Sequence, residues 1–281
     1  MKQRTITGFF LYIILAPLLI FDVMEILFQL VMGGFVVVAA LELISMYEKE
    51  KKFSIPIKAL MTICPLALFG SLMYVVHQDT ISYTIPFAVI LLNVFVLFCA
   101  TIFTEFDGKD IVKAVFVMLY AGLGVSSLVM IRAYNPDLIL YLFLITSTTD
   151  SFAFFCGLAF GKHKMAPVIS PKKTWEGAIG GSICGAIVGS CFALFFGLTS
   201  ANIFASSFGD GTLYTSILII LLTLVCTVVS QMGDLVASKL KRTYQLKDFG
   251  KIFPGHGGVL DRFDSAIFLA IFLFIFTLLT M

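Results

Sequence analysis

The sequence predicts an all-α, polytopic integral membrane protein of about nine transmembrane helices. Three observations carry that expectation. Of 281 residues, 59% are hydrophobic and only 13% are charged, with a mean hydropathy of +1.03, more apolar side chain than a soluble domain of this length can bury. The apolar residues gather in nine runs, most of them near the roughly 20 residues a bilayer crossing needs. The Lys and Arg residues fall almost wholly in alternate connecting segments.

The runs are Ile6–Ile20, Val23–Met46, Ala59–Val76, Ile85–Phe103, Ile111–Ile131, Leu138–Phe160, Ala178–Leu198, Leu213–Val236 and Ala266–Met281. The first is short and, with the second, reads as a hairpin turning at Asp22. With the N-terminus in the cytoplasm, the inside segments are 1–5, 47–58, 104–110, 161–177 and 237–265, with Lys113 at a span edge. These hold 18 of the 19 Lys and Arg and leave Arg132 outside. Lys2 and Arg4 precede the first run without a small-residue cleavage site leading into a soluble domain, so that run reads as a membrane segment.

The net charge of +2 selects no partner class, and no nucleic acid is expected. All six Cys lie in or beside apolar runs, form no C-x-x-C and have no His close in sequence, so they read as small buried apolar residues. The charge run at 47–58 reads as a solvated loop that fixes topology, with anionic lipid headgroups as the alternative. Glu42 lies inside a span and receives no role. Residues 1–140 form a motif-free set of membrane helices, and residues 141–281 carry every motif, with cytoplasmic loops at 161–177 and 237–265.

Within the latter region, Thr146 to Ser151 places five hydroxyls and Asp150 in a membrane helix. The hydroxyls read as bonded back to their own helix, and Asp150 as facing a wet pocket. Lys162 to Glu176 is a basic loop in which Ser170-Pro171 fits a helix start, so that Lys172 and Lys173 flank an anion-binding helix N-terminus. A basic loop that only fixes topology is the plain alternative. Trp175 suits the membrane interface. Gly177, Gly181, Gly185 and Gly189 form a stripe for close helix packing, either within the chain or in a homodimer. If the eighth span stays helical past the membrane edge, Gln231, Asp234, Ser238 and Lys241 share a face.

Ser238 to Asp264 is the chain's densest polar stretch, with six of its 19 Lys and Arg, three of its 17 acids and one of its three His. Both charge signs, broken by glycines and pressed between apolar runs, are costly unless they bind something. Lys and Arg suit phosphate, the glycines allow close backbone approach, and Asp261 and Asp264 offer hard oxygens for Mg²⁺. Together these suggest a nucleotide site.

The order Ser238, Lys241-Arg242, Lys247-Asp248, Pro254, His256-Gly257-Gly258, Asp261-Arg262, Asp264 resembles the signature of phosphatidate cytidylyltransferases, or CDP-diacylglycerol synthases. The block from Ser170 to Gly177, and Asp150 with the aromatic-rich stretch to Gly161, are similar to the same family. The resemblance covers about Asp150 to the C-terminus. It implies that CTP and phosphatidate give CDP-diacylglycerol and pyrophosphate at the cytoplasmic face of a bacterial plasma membrane.

On this reading Asp234, Asp261 and Asp264 hold Mg²⁺, with a second cation left open. Lys241, Arg242, Lys247 and Arg262 balance charge, and Lys172 and Lys173 hold a phosphate from the other side. Asp150, Ser170, Ser238, Asp248, His256, Gly257 and Gly258 complete the binding set. A CTP-dependent enzyme acting on a polyprenol or related lipid keeps the chemistry with another acceptor, for which fewer cations are needed. A transporter also tolerates intramembrane acids, but here the charges gather in one loop set and no inverted repeat is visible.

Overall fold

The computed structural model of the chain describes residues 16–78, 82–196, 198, 212–252 and 257–280. Eight helices among the described residues are long and apolar enough to cross a membrane. They match the second to ninth runs of the sequence; residues 6–15 of the first run lie outside the described residues. The chain divides into two compact units, Met1–Ala133 with Thr243–Arg262, and Tyr134–Arg242 with Phe263–Met281.

In the first unit, α1 (Glu25–Tyr47), α2 (Ile55–Val76), α3 (Thr84–Phe103) and α4 (Gly108–Tyr134) pack together. A capping box starts α4: Asp107 Oδ1 accepts the N–H of Lys109 at 2.8 Å and of Asp110 at 3.0 Å, and Asp110 Oδ2 accepts that of Asp107 at 3.2 Å. The middle of α4, Met118–Leu123, widens into a π-helical turn. Gly122 backs onto α2 there, where a Cβ would come within 2.9 Å of the Pro65 carbonyl oxygen. In its apolar window α4 is 78% buried and α3 only 17%, so α4 is the core of this unit and α3 its rim.

Arg132, the cation the charge pattern leaves alone, is buried. Its Nε donates to Leu18 O and its Nη2 to Phe21 O, both at 2.9 Å, with the guanidinium 5.3 Å from the Phe28 ring. Much of the 47–58 charge run is paired within the unit: Lys51 with Asp110 at 2.6 Å, Lys58 with Glu48 at 2.7 Å and Lys113 with Glu50 at 2.9 Å.

The second unit holds α5 (Pro136–Phe160), the antiparallel strands β1 (Lys164–Ala166) and β2 (Ser170–Thr174), α6 (Trp175–Phe195), most of α7 (Thr212–Thr243) and α8 (Leu260–Thr280) from Phe263 onward. Ser170-Pro171 does not start a helix. Lys164 pairs with Thr174 and Ala166 with Ser170, so residues 170–174 are extended, and Pro171 sits at the edge of a two-stranded ribbon that needs no donor from it. The helix begins at Trp175, where Thr174 Oγ1 accepts the N–H of Gly177 at 3.2 Å. Glu176 closes the ribbon by accepting the N–H groups of Lys162 and His163 and meeting His163 Nδ1 at 2.6 Å.

The glycine stripe packs within the chain, against α5. A Cβ on Gly177 would come within 2.6 Å of Ala153 O, one on Gly181 within 2.6 Å of Thr149 O, and one on Gly189 within 2.8 Å of Ile145 Cγ1. Backbone atoms cannot retreat as side chains can, so Gly181→Leu is expected to lower stability by about 1–3 kcal/mol or more. Thermal unfolding in detergent checks this, and an unchanged midpoint would place the stripe away from α5.

Candidate active site

A cavity of about 520 Å³ opens in the second unit where α5, the ribbon, α6 and α7 meet. The tight α5–α6 seam sets Asp150 on one wall. The ribbon contributes Lys164, Lys172, Lys173 and Thr174, α7 contributes Gln231 and Asp234, and Ala153, Phe154 and Leu158 of α5 form an apolar side. Lys172 and Lys173 thus reach the cavity from a strand rather than from a helix N-terminus.

Lys173 Nζ lies 2.6 Å from Asp234 Oδ2. Both side chains keep partial solvent exposure, 24% and 30%, and one contact leaves further ammonium protons available to other acceptors.

The continuous helix α7 places Gln231, Asp234, Ser238 and Lys241 along one face, as the sequence suggests. Gln231 Nε2 donates to Ala178 O at 3.1 Å and to Ser182 Oγ at 2.8 Å, and Ser238 Oγ donates to Asp234 Oδ1 at 3.3 Å. Lys241 is buried, as is Asp264, and Asp264 lies within electrostatic reach of Asp234, Lys241 and Asp150. Arg242 Nε donates to Ile169 O at 3.3 Å and ties the end of α7 to the ribbon. Of the membrane hydroxyls, Thr146 and Thr148 bond back to Phe143 O and Leu144 O, at 3.1 and 2.6 Å, as expected of a helix interior.

Among the described residues, no three Asp, Glu, His or Cys side chains gather closely enough to cage a metal alone. Asp234 and Asp264 nevertheless bring two hard-oxygen ligands near each other. Such a pair fits Mg²⁺, which characteristically binds one or two carboxylates and completes its shell with water and substrate phosphate.

The rest of the signature belongs to the first unit. Lys247, Asp248 and Arg262 are exposed, and Pro254 and His256 lie outside the described residues. Gly257 adopts a φ of 87°, which favours glycine. Asp261 Oδ2 accepts the N–H of Phe249 and of Gly258, both at 2.8 Å, and so joins the two arms of the loop. Glu42, which the sequence leaves without a role, reaches the same loop and accepts the N–H of Val259 at 2.8 Å and of Leu260 at 3.0 Å. Its one sequence signal is an acid within an apolar span. Lys164 is a second cavity residue that sequence reasoning passed over.

If Lys173 and Asp234 stabilise one another, Lys173→Met, Asp234→Asn and the double variant should give a coupling of about 1 kcal/mol in thermal unfolding without ligand. Additive effects would mean that the contact contributes nothing.

Residues 2–280 match the cytidylyltransferase family. The chain is 34% identical over 279 residues to the phosphatidate cytidylyltransferase of Bacillus subtilis (strain 168), covering 98% of this chain and 96% of that protein. It is 33% identical over 274 residues to the phosphatidate cytidylyltransferase of Staphylococcus haemolyticus (strain JCSC1435), covering 95% of both chains. Identity to the protein of the same name in Staphylococcus aureus (strain COL) is 31% over 273 residues, again 95% of both.

Proposed function

The chain belongs to the cytidylyltransferase family, and on that premise we propose that it converts CTP and phosphatidate into CDP-diacylglycerol and pyrophosphate in phospholipid synthesis. The observation that carries the reading is the cavity. Its lining combines Lys164, Lys172 and Lys173 of the ribbon with Ala153, Phe154 and Leu158 of α5. A phosphate attached to a lipid suits both kinds of residue at once. The alternating charge pattern supports a cytoplasmic face for this site, where CTP is found, and the bacterial relatives support the plasma membrane.

In the reaction a phosphate oxygen of phosphatidate attacks the α-phosphorus of CTP. The new P–O bond forms as the bond from the α-phosphorus to the α,β-bridging oxygen breaks, and that electron pair leaves on pyrophosphate. The attacking group is already an anion, so no strong base is required. The obstacle is the approach of two anions, and its remedies are positioning and charge neutralisation.

Lys173 turns from Asp234 toward phosphate, and Lys172 and Lys164 hold the lipid phosphate in place. Lys241, Arg242, Lys247 and Arg262 offset charge on the nucleotide and on the departing pyrophosphate. Mg²⁺, when bound, supplies further charge neutralisation at the CTP phosphates. Asp234 and Asp264 would hold it, and the signature nominates Asp261 as a further ligand.

Purified protein in mixed micelles, given radiolabelled CTP, phosphatidate and Mg²⁺, should carry label into lipid only when all three are present. Label entering lipid with a polyprenol phosphate but not with phosphatidate would overturn the acceptor, and no transfer from folded protein would overturn the activity. Asp261→Asn should lose turnover while staying folded. Lys172→Ala should raise the KM for phosphatidate more than it lowers kcat.

A further inference from the structure

Among the buried charges of the first unit that the proposed reaction does not use, Asp110 and Arg132 are accounted for by their local partners, and Glu42 stands apart. Glu42 lies in α1, a helix with no recognisable motif, and its side chain is only 5% exposed. Its partners are 217 and 218 residues away in sequence. Oε1 accepts the N–H of Val259 at 2.8 Å and Oε2 that of Leu260 at 3.0 Å. These are N–H groups at the start of α8, which a helix leaves without internal partners and which favour a negative charge.

The loop is shaped around this carboxylate. A Cβ on Gly250 or on Gly258 would run into the Glu42 carboxylate, so a side chain at either position would displace it. Asp261, in the first turn of α8, meanwhile binds Phe249 N and Gly258 N. Two carboxylates thus divide one loop. Asp261 joins its arms, and Glu42 fixes the point where it turns into the helix bearing Asp261, Arg262 and Asp264.

We propose that Glu42 is a positioning residue for the reaction: it holds the start of α8, and through it Asp261 and Arg262, in the orientation used for phosphoryl transfer. This rests on the transferase reading above. It gives the motif-free N-terminal helices a part in catalysis without contact with substrate.

Glu42→Gln tests it, because an amide offers one acceptor where two donors must be met. Two readouts are needed. In the absence of nucleotide, hydrogen exchange at residues 257–261 should quicken by about tenfold as a backbone hydrogen bond is lost, with exchange in α2 and α4 unchanged. In turnover, kcat should fall by about tenfold to hundredfold, with the KM for phosphatidate within about twofold of wild type. Wild-type kcat, unchanged loop exchange, or faster exchange throughout the unit would each overturn the role.

If Glu42→Gln does not fold, Gly250→Ala carries the same readouts, since it displaces the carboxylate while leaving its charge in place. Failure of both variants to fold would make Glu42 a purely structural group and overturn the proposal. Because exchange is read without CTP, inactive wild-type protein would sink the transferase reading alone, whereas active wild type with an unresponsive loop would sink the role of Glu42 alone.

Discussion

A lysine ammonium held 2.6 Å from a carboxylate in the lining of a membrane cavity is the interaction around which the second unit is arranged. Either charge alone would be expensive there. Together they neutralise one another, and Coulomb attraction is set against the desolvation of both groups. Asp234 also receives Ser238 and lies within electrostatic reach of Asp264. On the proposed reading, an incoming phosphate would compete for the ammonium, and the released carboxylate would be free to hold a cation.

The scaffold explains how the two charges meet. Asp234 needs α7 to remain helical beyond its apolar run, which it does through Thr243. Lys173 comes from a short ribbon whose ends are fastened at Glu176 and Thr174. The ribbon leads directly into α6, and α6 lies against α5 because glycines remove the side chains that would separate them. The close seam and the polar cavity are therefore parts of one arrangement. In the first unit a comparable role falls to two carboxylates, buried Glu42 and half-buried Asp261, which collect four backbone N–H groups of a glycine-rich loop.

The sequence made the architecture readable because hydrophobic runs and charge alternation are local signals that a bilayer enforces. The second to seventh spans appear within about four residues of their expected ends, whereas α7 runs on past Val236 to Thr243 and α8 begins at Leu260, ahead of Ala266. The helical continuation of α7 was also legible, since nothing between Val236 and Thr243 breaks a helix. Ser170-Pro171 misled: the dipeptide fits a helix start and a strand edge equally well, and cross-strand pairing with Lys164 and Ala166, a tertiary contact, decided it. Glu42 was visible only as an anomaly, because its partners lie 217 and 218 residues away.

On the proposed reading, this pair and its neighbouring carboxylates form a site for a cytidine triphosphate with its cation. The direct measurement is the thermal midpoint of the detergent-solubilised protein with CTP alone, Mg²⁺ alone and both. Both together should raise the midpoint by more than the sum of the separate effects, ATP should do so less, and Lys173→Met should remove the gain. A midpoint unmoved by CTP with Mg²⁺ at millimolar concentration, or moved equally by any triphosphate and equally in Lys173→Met, would contradict it.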